Sequence, residues 1–207
     1  MSLAAEITKD DINKLPLAEF HGEVHLIESE SQLEDAISAM KHCPVLGFDT
    51  ETRPAFKKGQ SYPVALLQLA SEDQVWLFRL NKLGGLPEAL AKFLEAPQLK
   101  LGVAVRDDIK GLQKLHDFDG RYISDLSTMA KKNQIKALGL RALMAICCGL
   151  RISKGAKVTN WAAETLTPAQ IKYAAVDAWA GLKIYQRFQE EGLKDIPSLQ
   201  TGESDKV

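Results

Sequence analysis

The sequence predicts a mixed α/β fold, a central sheet flanked by helices in a single domain, and three observations support that prediction. Apolar runs of strand length alternate with stretches of helical periodicity. Two of those runs, residues 64–70 and 74–80, are joined by the short Ser71-Glu72-Asp73 connection of a hairpin. No internal repeat or low-complexity linker divides the chain.

Composition sets further bounds. At 207 residues, with 45% hydrophobic and 26% charged, the chain can bury a sizeable core. A formal net charge of -1 offers no global attraction to a polyanion, so contact with nucleic acid must rely on local lysines or on metal. Three cysteines, two of them adjacent as Cys147 and Cys148, fit neither a disulfide framework nor zinc-site spacing and read as buried thiols in a reducing compartment. No apolar run approaches the ~20 residues of a membrane span and the start lacks a basic-then-apolar leader; the expectation is a cytoplasmic protein with no membrane partner.

Residues 1–20 are weakly periodic and read as an N-terminal extension. Residues 21–27 alternate as an edge strand would. Ser31-Gln32-Leu33-Glu34 reads as a capping box opening a helix with Leu33, Ala36, Ile37 and Met40 on one face, ending near His42. A strand over 44–52 follows, then a polar loop with Lys57, Lys58 and Gly59, then the hairpin. Residues 86–94 turn helical, with Pro87 in the first turn and Pro97 as the stop. Residues 100–105 form a short strand that leads into a helix with Ile109, Leu112 and Leu115 as its buried stripe. Residues 122–126 suit one more strand, and 126–132 and 138–150 suit short helices. The last helix has the firmest boundaries: Thr167-Pro168-Ala169-Gln170 combines an N-cap, a first-turn proline and a capping glutamine, and Gly192 ends it. Residues 197–207 are a polar tail.

Acids fall where strands and helices meet. In an extended chain Asp49 and Glu51 point to one face while Phe48 and Thr50 point to the other, so the two carboxylates are neighbours. Adjacent carboxylates repel and are costly to desolvate, and a divalent cation offsets both penalties. A strand running out into solvent explains the same stretch, and on it alone the two readings stay open. Further along, Asp107 and Asp108 open a helix, and Tyr173 and Asp177 share a helix face one turn apart. Either aspartate could be an N-cap. Helical spacing aligns Asp108 with Leu112 and Leu115, toward the sheet, and Asp107 with Lys110 and Lys114, which selects Asp108 as the ligand. Trp161 and Trp179 read as packing residues, and the lysines at 57, 58, 154 and 157 as possible backbone contacts on otherwise solvated loops.

With these residues in order, the chain resembles the 3′-5′ exonucleases of the four-carboxylate superfamily, in the tyrosine branch (DEDDy). Phe48-Asp49-Thr50-Glu51 matches the first motif, Gly102 through Asp108 the second, and Tyr173-Ala174-Ala175-Val176-Asp177 the third. Within that branch it resembles the Werner syndrome exonuclease domain and the catalytic part of ribonuclease D. The likeness implies a ribonuclease-H-like domain over 21–196 and hydrolysis with two metal ions about 4 Å apart. It implies Asp49 bridging the ions, Glu51 and Asp177 completing one, Asp108 supporting the other, and Tyr173 orienting the attacking water. Hard oxygen ligands suit Mg²⁺ or Mn²⁺. The implied substrate is the 3′ end of nucleic acid, DNA favoured over RNA, with nucleoside 5′-monophosphates released. Competing readings are an exoribonuclease, an inactive nucleic-acid-binding module, and an endonuclease on the same fold. Oligomeric state is not legible.

Overall fold

The computed structural model describes residues 3–156 and 158–197. Six strands form one sheet in the order β1-β4-β3-β2-β5-β6. β3 (Val64–Ala70) runs antiparallel to both of its neighbours, β2 (Val45–Thr52) and β4 (Gln74–Arg79), and β3 with β4 is the expected hairpin. β1 (Glu23–Ile27) lies parallel on the β4 edge. β5 (Leu99–Gly102) and β6 (Ile123–Asp125) extend the other side parallel to β2. β2, β5 and β6 therefore end at the same edge of the sheet, which collects the residues that follow each of them.

Each face carries helices. Phe48, Leu67 and Leu69 point to one face, where α2 (Glu30–Met40), α3 (Glu88–Glu95) and α4 (Arg106–Gln113) bury Leu33, Met40, Leu90, Phe93 and Leu112. The alternate residues Leu66, Ala70 and Leu77 face α7 (Pro168–Glu190), which is backed by α5 (Leu126–Lys132) and α6 (Leu140–Cys148). α7 lies unusually close to the strands because glycines meet it: a Cβ on Gly47 would fall 1.9 Å from the Ala178 carbonyl oxygen, and one on Gly181 would fall 2.5 Å from that of Leu101. The small side chains of Ala174 and Ala178 complete the contact.

Several local expectations shift. The first capping box is formed by Ser29 with Gln32, two residues before the serine that sequence spacing selects, and the helix ends at Met40. Pro87 is the N-cap of α3 and not a first-turn residue, its ψ of 146° being extended. Thr167 and Gln170 do cap α7, and Gly192 follows it with φ at 62°. The N-terminal segment contains α1 (Lys9–Lys14) and then docks on the domain, where Leu17 bridges Arg151 and Ala18 is buried beside Ile152. Cys147 is buried and Cys43 and Cys148 are half-buried, all as free thiols. Among the described residues no helix is long and apolar enough to cross a membrane. The tail reading over 197–207 lies, after Pro197, outside the described residues.

Candidate active site

β2 delivers Asp49 and Glu51 on the α7 face, and α7 brings Asp177 down onto them. One carboxylate oxygen from each of the three lies within 4.8 Å of the others. Asp177 is buried, whereas Asp49 and Glu51 are half-buried at the sheet edge. Such an assembly is unfavourable in itself, because burial and then the charges of Asp177, Asp108 and Glu51 hold the Asp49 carboxyl well above the usual carboxylate range. Among the described residues, the side-chain charges that act on Asp49 are all acidic. Three convergent hard oxygen donors fit a divalent cation such as Mg²⁺ or Mn²⁺.

Asp108 occupies a different position. It sits in the first turn of α4, on the opposite side of β2 from α7, and its Oδ1 accepts a hydrogen bond of 2.5 Å from Thr50 Oγ1. It is close enough to raise Asp49 electrostatically but is not one of the three converging carboxylates. Its neighbour Asp107 is exposed, so the structure separates the two acids in the direction that helical spacing indicates. Burial raises the Asp108 carboxyl and the Thr50 hydrogen bond opposes that rise. The turn before α4 is held open by Ala104, whose φ is 62° and whose amide donates to Asp125 Oδ1 at 2.9 Å. A non-glycine residue in that region is strained by about 1 kcal/mol or more, which marks the turn as fixed from outside itself.

Tyr173 sits one turn before Asp177 and its hydroxyl hydrogen-bonds that carboxylate. Burial first, then the charge of Asp177, pushes the phenol well above its ordinary range. It therefore remains protonated at neutral pH and can donate and orient but not abstract a proton. The fully buried Trp161 stands behind it, the ring centroids 6.0 Å apart. The segment carrying Trp161 is anchored by Arg79, which sequence reasoning did not single out, and by Gln170, which it read only as the cap of the last helix. Arg79, fully buried at the end of β4, donates to the Ala163 carbonyl and pairs with Glu28 at 2.9 Å. Gln170 donates to Thr159 Oγ1 at 3.0 Å and to the Asn160 carbonyl at 3.3 Å. Trp161 thus supports the site by packing, as expected. Trp179 packs edge-on against Phe20, away from the acids' face of α7. Lys57, Lys58 and Lys154 are exposed on loops, and Lys157 lies outside the described residues.

Comparison with known proteins agrees with this arrangement. A family described as 3′-5′ exonuclease matches residues 24–193. The mouse protein named bifunctional 3′-5′ exonuclease/ATP-dependent helicase WRN is 32% identical over 87% of this chain, and the matched region is 14% of that protein. The fruit-fly exonuclease 3′-5′ domain-containing protein 2 is 36% identical over 70% of the chain, and the matched region is 26% of that protein. The crystal structure of the Aedes aegypti Nibbler EXO domain superposes with a TM-score of 0.72 at 27% identity, covering 81% of this chain and 88% of that one. Escherichia coli RNase D superposes with a TM-score of 0.71 at 22% identity over 81% of this chain and 44% of its own, a likeness of fold. The chain spans only part of the curated relatives it matches, and it belongs to the 3′-5′ exonuclease family, on a ribonuclease-H-like fold.

Proposed function

We propose that the chain hydrolyses the terminal phosphodiester bond at the 3′ end of a polynucleotide, DNA in preference to RNA, releasing nucleoside 5′-monophosphates. The observation that carries this reading is the convergence of Asp49, Glu51 and Asp177 within 4.8 Å beside a protonated tyrosine. When bound, Mg²⁺ or Mn²⁺ would supply Lewis acidity and neutralise charge on the scissile phosphate. Asp49, Glu51 and Asp177 would hold it, and Asp108, fixed by Thr50, would support the opposite side. Tyr173 donates its hydroxyl hydrogen and keeps its proton, so its part is to orient the attacking water along the line of displacement.

The preference for DNA rests on the resemblance of the three motifs to the Werner syndrome exonuclease domain, in line with the 32% identity to the mouse exonuclease/ATP-dependent helicase. A second reading, on RNA, is favoured by the fold likeness to RNase D proteins, among them the Trypanosoma brucei RNase D complex with RNA U12, at a TM-score of 0.72 and 17% identity. Side-by-side digestion of matched 5′-labelled DNA and RNA, single-stranded and duplex, decides between them. The proposal expects stepwise shortening of DNA from the 3′ end at the higher rate; faster loss of the RNA ladder reverses the preference, and internal cuts in circular single strands contradict exonuclease action altogether.

A further inference from the structure

Gln68 is fully buried in β3, and neither its Nε2 nor its Oε1 has a hydrogen-bond partner among the described residues. Leaving both ends of a carboxamide unsatisfied in an apolar interior is destabilising, and an apolar side chain of the same shape avoids the penalty. Its surroundings limit what can satisfy it. Leu66 and Ala70, two residues to either side on the same face, lie in the apolar cluster with Ala174 and Ala178 of α7. Across β4 its register partner is Leu77, which offers nothing. Across β2 its register partner is Asp49. Directly opposed residues of antiparallel strands share a face, with Cβ atoms about 5 Å apart, within reach of a glutamine and an aspartate.

We propose that Gln68 is a positioning residue of the metal centre, its carboxamide donating to the Asp49 carboxylate and fixing that carboxylate's orientation in the working enzyme. The inference rests on the reading of Asp49, Glu51 and Asp177 as metal ligands. It explains why a buried strand position carries an amide where the hydrophobic core would take leucine. Of the three converging carboxylates, Asp49 is the one that pairs with Gln68 in register, so its carboxylate is the one that a donor from Gln68 would hold in orientation. A neutral amide lends a hydrogen without adding a charge that would compete with the cation, which is the usual part of groups behind metal ligands.

The test compares Gln68→Met, close in shape, and Gln68→Asn, which keeps the amide but shortens its reach, with the parent and with Asp49→Asn. Mn²⁺ affinity is measured by electron paramagnetic resonance on the full chain without substrate, alongside the metal-free melting temperature. The expected result is an Mn²⁺ affinity lowered ~10–100-fold in Gln68→Met, with a smaller loss in Gln68→Asn, while the metal-free melting temperature of Gln68→Met stays level or rises. A purely structural glutamine predicts the opposite pattern, unchanged Mn²⁺ affinity with an altered melting temperature, and that result overturns the inference. Loss of Mn²⁺ binding in Asp49→Asn with parent affinity in both Gln68 variants rejects Gln68 alone and leaves the metal centre standing. Parent affinity in all three variants rejects both. If Gln68→Met does not fold, the Asn variant decides on the same readout.

Discussion

Lys100 and Asp49 stand on neighbouring strands of one sheet, the first fully buried and the second half-buried, and the protein treats them in opposite ways. The Lys100 ammonium is fully buried, yet it donates to the Leu94 carbonyl at 3.1 Å and the Ala96 carbonyl at 2.7 Å, closing the last turn of α3, and lies over the Phe93 ring. Arg79 is treated likewise, with Glu28 and the Ala163 carbonyl as acceptors. Asp49 is instead surrounded by three further acids that raise its proton affinity. A buried charge supplied with partners serves architecture. A buried charge crowded by its own sign has been kept for something that arrives from outside, and the contrast identifies the site without reference to any motif.

The strongest way to break the contrast is to remove the charge at its centre. Asp49→Asn should abolish turnover, a loss beyond the ~100-fold that changes behind a ligand produce, while the metal-free protein becomes more stable at neutral pH. The sign follows from the raised carboxyl: between the usual aspartate pKa and its own, the folded state binds more protons than the unfolded one, so the contribution of Asp49 to stability falls as pH rises through that window. Asparagine escapes that loss. Melting curves at pH 7.5 next to steady-state rates check both halves, and a destabilised variant with normal turnover would place Asp49 among the architectural charges.

Next in size is Tyr173→Phe, which keeps the ring against Trp161 and deletes the hydroxyl. Turnover should fall on the order of 10²-fold with Mn²⁺ and substrate affinity little changed. Single-turnover cleavage measured beside binding separates the two, and normal cleavage would reduce Tyr173 to packing.

The adjacent aspartates sharpen the comparison within one helix turn. Asp108→Asn should remove most activity, because its carboxylate is held by Thr50 beside the cluster. Asp107→Asn should change stability by at most about 1 kcal/mol and leave the rate near that of the parent. The reverse ranking in a paired rate assay moves the function to Asp107.

These expectations divide by how far apart in the chain their causes lie. The Asp49 and Glu51 pairing was legible because strand alternation needs only adjacent residues, and Tyr173 with Asp177 because helical spacing needs only a turn. α7 announced itself through Thr167, Pro168 and Gln170. What stayed hidden depends on contacts across the fold. Arg79 reaches a carbonyl 84 residues away, and nothing local distinguishes it from an arginine at a hairpin's end. The turning of Asp108 to Thr50, which keeps it out of the converging trio, spans 58 residues. Gln68 could be read only once β2 and β3 were in register. The displacement of the first cap from Ser31 to Ser29 has a different cause, since both serines stand before Leu33 and the one that faces Gln32 correctly is settled by backbone geometry.

The smallest effect concerns Lys100. Burial pushes its ammonium down from 10.5 to about 7. The unfolded chain therefore binds the extra proton between those values, and this residue's contribution to stability rises with pH across that window. The stability of the parent relative to Lys100→Met should increase from pH 7 to pH 9 in chemical denaturation; a difference independent of pH would show that the two carbonyls keep the ammonium charged.

The most direct test of the central claim is cleavage of a 5′-labelled single strand by protein stripped of metal, before and after adding Mg²⁺ or Mn²⁺. The account predicts no shortening in excess chelator and stepwise loss of nucleoside 5′-monophosphates from the 3′ end once metal is restored. Undiminished cleavage in chelator would contradict it, since the crowded acids would then have no cation to hold.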